Sequence, residues 1–154
     1  MGKDIVKGFT MLLLIVALAF VSAVVSANGQ SGRVLVADIP FDFAVGDKAL
    51  PSGAYTVKAI TAGNEALMIR NKDSQSAAMR LTNQINAPKL PAQAKLVFHR
   101  YGERYFLSEV WTGEDNTGRQ LTKSRQERAI ERELASTSVA QARYERVEIL
   151  ATLQ

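Results

Sequence analysis

The sequence contains no cysteine. That excludes a disulfide framework, a thiolate nucleophile, a cysteine-ligated zinc site and a lipid anchor attached through an N-terminal cysteine. Histidine and tryptophan occur once each, as His99 and Trp111. No G-x-S-x-G elbow is present, and serine chemistry has no other local signature here. Charge of either sign is also in short supply as a net quantity. The formal charge is +4, and Lys3, Asp4 and Lys7 at the N-terminus account for one unit of it, leaving +3 on the rest. That excess is too small for a nucleic-acid partner.

What remains is an ordinary globular composition, 47% hydrophobic and 22% charged over 154 residues. One domain of this length buries a core without metal or disulfide staples.

The first 27 residues read as an export address. Lys3 and Lys7 form a positive lead, residues 11–25 are almost wholly apolar, and Val25-Ser26-Ala27 places small residues before a cut at Asn28. This is the three-part order of a secretory signal peptide, with the mature protein periplasmic or secreted. An uncleaved membrane anchor is the alternative, because no charge occurs between Lys7 and Arg33. Residues 28–32 form a short flexible lead-in, and 33–154 form one β-rich domain.

The domain reads as short alternating segments divided by turns. Phe41, Phe43 and Val45 alternate in a first strand region, 33–45, with Pro40 at an edge, a strand start or a bulge. Leu50-Pro51-Ser52-Gly53 turns, and Tyr55, Val57 and Ala59 alternate after it. A strand at 66–70 and another at 77–85 follow, the latter with Met79 and Leu81 facing inward. Turn signals every 8–12 residues predict a small antiparallel β-barrel or sandwich of seven or eight strands.

The stretch 95–111, KLVFHRYGERYFLSEVW, is the centre of the pattern. It holds His99, Trp111, two of the four tyrosines and two of the six phenylalanines. Gly102-Glu103 fits a two-residue hairpin loop, with glycine first. That loop pairs Tyr101 with Arg104, His99 with Phe106, Phe98 with Leu107, Val97 with Ser108 and Leu96 with Glu109. Leu96, Phe98, Arg100, Tyr105, Leu107, Glu109 and Trp111 then share one face, with His99 and Tyr101 on the other. Glu109 falls on the apolar face and requires a partner, Arg100 or another arginine.

Ser124 and Glu127 match a capping box, and the spacing predicts a helix near residues 124–135 with Ala129, Ile130 and Leu134 as its apolar stripe. Arg128 is placed to meet Glu131. Ser136-Thr137-Ser138 ends the helix. The tail from Ala140 to Gln154 fits either a helix or a strand, and the β-branched Val147 and Ile149 favour a closing strand.

Four stretches carry a resemblance: IPFDFAVGDKALPSGAYTV at 39–57, MIRN at 68–71, the hairpin, and LTKSRQERAIEREL at 121–134. With them the chain resembles a group of small exported bacterial β-rich proteins without an assigned activity. The resemblance implies the order of signal, β-rich domain and late helix. It transfers no catalytic residue.

The candidate binding residues are His99, Tyr101, Tyr105, Glu109 and Trp111. For His99 the expected role is a packed sheet histidine beside Phe106, Val97 or Tyr101. A pairing of Glu109 with Asp42 or Glu103 would suit glycoside chemistry, but nothing sets the separation that such chemistry needs. Glu114, Asp115 and Asn116 offer hard oxygens without the distal glutamate of an EF-hand. The aromatic residues could line a pocket or stack on sugars. The basic residues from Arg119 to Arg146 alternate with glutamates and read as a solvated face.

The expectation is therefore a non-catalytic binding or envelope-structural protein, with no cofactor and no metal. A small barrel holding an apolar or carbohydrate ligand is the alternative, and an enzyme the third.

Overall fold

The computed structural model describes residues 32–61, 63, 65–137 and 144–154, and Gly2. The expected signal peptide, apart from Gly2, and most of the lead-in lie outside the described residues. The unit that holds the domain spans Gly32–Gln154.

Eleven strands and one helix are found among the described residues. The first six strands are β1 (Val34–Ile39), β2 (Phe43–Val45), β3 (Lys48–Leu50), β4 (Gly53–Ala59), β5 (Ala66–Asn71) and β6 (Ala77–Asn86). The hairpin forms β7 (Lys95–Tyr101) and β8 (Arg104–Trp111), followed by β9 (Thr117–Leu121). Helix α1 (Arg125–Thr137) precedes β10 (Glu145–Leu150) and β11 (Thr152–Leu153). The count exceeds the expected seven or eight because β2, β3 and β11 are only two or three residues long. Pro40 lies between β1 and β2 and divides the single strand expected over 33–45. In the described part of the tail, residues 144–154, the chain forms strands, as Val147 and Ile149 favoured.

The ladder runs β10-β7-β8-β9-β6-β5-β4-β1-β11 and is not closed by pairing. Its ladders are antiparallel except for one parallel bridge between Ala44 of β2 and Phe106 of β8, so the sheet is mixed. Two places turn the sheet. β6 pairs its first half with β5 and its second half, from Thr82, with β9. At the other end β10 and β11 are separated only by Ala151, whose N–H donates to Ala94 O at 2.8 Å.

The alternating residues of these strands build one core. Leu35, Ile39, Tyr55, Val57, Ile69, Leu96, Phe98, Leu107 and Val110 are all buried in it. Each such side chain, moved from water to the core, contributes about 1.5–3 kcal/mol. β2 and β3 close one end: Phe43 meets Tyr55 and Phe98 edge-on, with ring centroids 5.0 and 5.4 Å apart. Polar bonds fix that end. Asp42 accepts from the Ser52 N–H at 2.8 Å, and the Tyr55 hydroxyl donates to Pro51 O at 2.6 Å.

Met79 and Leu81 do not face inward. They are 63% and 71% exposed, because the strand presents Ala78 to the core instead.

The hairpin follows the expected register from its turn only as far as Phe98↔Leu107. Gly102 has φ +61°, as the first position of the loop requires. A bulge then lies between Val97 and Phe98 on one strand and at Ser108 on the other, so Val97 pairs with Glu109, Leu96 with Val110 and Lys95 with Trp111. One extra residue exchanges the faces beyond it. Val110 joins Leu96 in the core. Glu109 and Trp111 move to the outer face, beside Val97 and His99. The expectation that His99 and Trp111 lie on opposite faces is thereby overturned.

Candidate functional site

The outer face of β10, β7 and β8 carries the buried His99 and Glu109, and the buried Glu127 of α1 bonds to it. Pairing places Arg146 opposite His99 and Glu148 opposite Val97. Two clusters result, and they share this face.

The first cluster joins the sheet to α1. Ser124 caps the helix, its Oγ accepting the Glu127 N–H at 3.0 Å. The Glu127 carboxylate does not complete the capping box by reaching back. It turns to the sheet, where Oε1 lies 3.0 Å from His99 Nδ1 and 3.2 Å from the Tyr101 hydroxyl. With Glu127 ionised, Nδ1 carries the proton, since a carboxylate has none to donate. Tyr101 also donates to Glu131 Oε1 at 2.7 Å, and Lys123 completes the set by donating to the same oxygen. His99 and Glu127 are 3% and 4% exposed. The Tyr144 ring stacks on the imidazole, with centroids 3.6 Å apart.

Glu127 is thus the buried residue of α1. Ala129 and Leu134, expected in an apolar stripe, are exposed, and Ile130 is half-buried. Arg128 does not pair with Glu131, which is already held by Lys123 and Tyr101.

Electrostatics follow from these contacts. Burial and the neighbouring Glu131 and Glu127 carboxylates raise the Tyr101 pKa far above its ordinary value, so the hydroxyl stays a donor. For Glu131, burial acts against ionisation, but hydrogen bonds from Lys123 and Tyr101 outweigh it and leave the carboxyl below its ordinary range.

The second cluster centres on Glu109. Arg146 grips it with a two-pronged contact, Nη1 to Oε1 at 3.1 Å and Nη2 to Oε2 at 3.0 Å. The Trp111 indole N–H donates to Oε2 at 2.8 Å. Arg146 Nε also donates to Glu148 at 3.2 Å, and Lys95 Nζ to both Glu148 oxygens at 2.8 and 2.9 Å. Hydrogen bonds from Lys95 lower the Glu148 pKa. Burial acts against the Arg146 charge, but Glu109 and Glu148 more than offset it and raise its pKa. Beneath the indole lies Gly118, where a Cβ would come within 2.6–2.7 Å of the Trp111 ring.

Of the five residues singled out by sequence, His99 and Tyr101 converge on Glu127, while Glu109 and Trp111 bond to each other. Tyr105 lies apart, stacked on Phe41 at 3.8 Å with the Arg100 guanidinium over its ring at 5.5 Å. Arg100 pairs with Glu145 rather than Glu109. Sequence reasoning missed Glu127, Glu131, Lys123, Tyr144 and Arg146 as members of the site. The i, i+4 spacing of Glu127 and Glu131 was a visible signal that both share one helix face.

The His99–Glu127 contact has the geometry of a carboxylate orienting an imidazole, a geometry that catalytic triads share with purely structural pairs. Among the described residues no serine or threonine hydroxyl bonds the imidazole. Asp42 is engaged at its turn, and Glu103 is exposed in the hairpin loop. Glu114 pairs with Arg33 at 2.7 Å, and Asp115 accepts from the Thr117 N–H at 3.0 Å. Among the described residues no group of three or more His, Asp or Glu is placed to hold a metal ion. No helix among them is long and apolar enough to cross a membrane.

No family model, no curated protein and no solved structure matches the chain.

Proposed function

We propose that the chain is an exported, non-catalytic β-domain that binds a component of the cell envelope and displays α1 as its contact element. One observation carries this reading: both groups best suited to chemistry are buried and already engaged. His99 is stacked under Tyr144 and bonded to Glu127, and Glu109 is held by Arg146 and Trp111. Their bonds fasten a helix and an edge strand to the sheet, which is a scaffolding role.

The sheet is read as a sandwich whose two layers meet at β6 and at Ala151. Its interior is filled by Phe98, Leu96, Ile39 and Tyr55, all fully buried. That favours a surface partner over an apolar or carbohydrate ligand held inside. Export rests on the signal-like leader and on the likeness to exported bacterial proteins.

The test is enzymatic and structural together. The full chain, with His99→Gln and Glu109→Gln variants, is assayed against ester, glycoside and phosphoester substrates, and folding is followed by circular dichroism. No turnover in any of the three supports the proposal. Turnover lost in either variant, with folding intact, overturns it. Mass spectrometry of the protein from the exported fraction checks for a start at Asn28.

A further inference from the structure

Helix α1 carries Arg125, Arg128 and Arg132. At 3.6 residues per turn these fall within an arc of about 60°, and at 1.5 Å per residue they span ~10 Å along the axis. In sequence they alternate with Glu127, Glu131 and Glu133, which reads as a balanced, solvated face. The fold withdraws two of the three acids from the row, and the exposed Glu133 lies about 80–140° round the axis from the arginines. Glu127 and Glu131 turn toward the sheet, where His99, Tyr101 and Lys123 occupy them. All three arginines are exposed, and among the described residues none of them makes an ion pair. Arg132 Nε donates to the Arg128 carbonyl at 3.2 Å, which holds its guanidinium back along the row.

Beside the row lies an open groove whose described lining is Arg125, Arg128, Glu131, Arg132 and Ala135, all on one face of α1. Glu131 does not cancel the row, since its charge is already met by Lys123.

We infer that this groove binds a discrete, extended anion bearing two or more phosphate groups. Guanidinium forks match phosphate oxygens, and three of them in line suit charges spaced along a chain rather than one compact ion. A flat lipid surface fits poorly. A helix that enters an interface needs bulky apolar side chains next to its cations, whereas Ile130 and Leu134 lie about 120–180° round the axis from the arginines. The inference names the partner chemistry of the binding role proposed above and rests on that role.

The test is calorimetric titration of the full chain with inorganic tripolyphosphate, against the triple variant Arg125→Gln/Arg128→Gln/Arg132→Gln and the single reversal Arg128→Glu. All three side chains are exposed, so thermal melts should match the parent. Binding weakened at least tenfold in both variants, and weakened by added salt, supports the site. Unchanged binding in the triple variant overturns it. Equal affinity for citrate overturns the preference for phosphate. Tighter binding to phosphatidylglycerol vesicles than to tripolyphosphate overturns the discrete ligand. Release of orthophosphate from tripolyphosphate, abolished by His99→Gln, keeps the groove as a phosphate site and overturns the non-catalytic reading instead.

Discussion

Arg146 and Glu109 meet through two parallel hydrogen bonds, 3.1 and 3.0 Å long, between strands that are not neighbours in the ladder. β7 lies between β10 and β8, so the contact reaches across it and ties the edge strand to the centre of the sheet. Glu109 is 8% exposed, while the Arg146 side chain is 45% exposed. Removing the carboxylate leaves the Trp111 N–H without its acceptor. Removing the guanidinium in turn leaves the buried carboxylate with the Trp111 N–H as its one remaining partner, so Arg146→Ala should cost about as much as Glu109→Ala, roughly 2–3 kcal/mol each. A double-mutant cycle in urea should show a coupling of roughly 1 kcal/mol. Additive single effects would mean that the pair does not bridge the strands.

Deleting Ser108 should remove the bulge without exchanging the faces. With Ser108 gone, Glu109 follows Leu107 directly, so Val97↔Glu109, Leu96↔Val110 and Lys95↔Trp111 remain as pairs of a regular ladder. Glu109 then stays on the outer face within reach of Arg146, and the deletion should cost about 1–3 kcal/mol through the lost local twist and the lost buried residue. Ser108→Ala keeps the backbone count and should cost about 1 kcal/mol or less. Urea melts of both variants decide this. A deletion variant that no longer folds would show that the bulge is required, and one as stable as Ser108→Ala would show that it is dispensable.

The same bulge explains which parts of the molecule were legible in the sequence. Strand positions followed from alternation, and the turn at Gly102 set the register of the first four pairs. Nothing in a period-two pattern announces an extra residue when Leu107, Ser108, Glu109 and Val110 are all buried. The helix start was legible through Ser124, a local bond. The destination of Glu127 was not, because it depends on His99, 28 positions away. Met79 and Leu81 misled for a related reason. Hydrophobicity told that a strand was present, and the small Ala78, not the larger neighbours, was the residue facing the core. The Asp42–Ser52 and Tyr55–Pro51 bonds give the 39–57 stretch a structural meaning that needs no ligand.

Tyr101 and Glu127 should control how firmly α1 stays on the sheet. Tyr101→Phe removes one donor shared by two carboxylates and should cost about 1 kcal/mol. Glu127→Ala removes the acceptor of both His99 and Tyr101 and should cost about 2–3 kcal/mol. Hydrogen exchange at α1 amides should accelerate in both variants, while the β4 and β5 amides change less. Equal acceleration everywhere would mean that the helix is not a separable unit.

Acid should loosen the outer face. Glu131 and Glu148 titrate below their ordinary value of 4.5 in the folded chain. A depressed folded value means stability that is present above the unfolded value and lost as pH falls through the folded one. The contribution is therefore intact above about pH 4.5 and declines below it. Both carboxylates are partly exposed, so the loss should be gradual, and Glu131→Gln should flatten the acid limb of a stability–pH curve. Tyr101 has the opposite sign. Its raised value makes its contribution present below the ordinary 10.0 and lost only above the folded value. Ultraviolet titration should show the same tyrosinate amplitude near pH 10 in the parent and in Tyr101→Phe.

Gly118 tests the second cluster without touching any charged group. A Cβ there would sit 2.6–2.7 Å from three atoms of the Trp111 ring. The indole cannot yield like the end of a flexible chain, since its N–H is anchored to Glu109 at 2.8 Å. Gly118→Ala should therefore tilt the ring, break that bond and cost about 1–3 kcal/mol by overpacking. The fluorescence of the single tryptophan should report the change directly, through a red shift as the ring gains contact with water. Combining Gly118→Ala with Trp111→Phe should recover part of the loss, because the smaller ring leaves room for the methyl group. If the double variant is less stable than either single one, the glycine is needed for its backbone and not for the space it leaves under the indole.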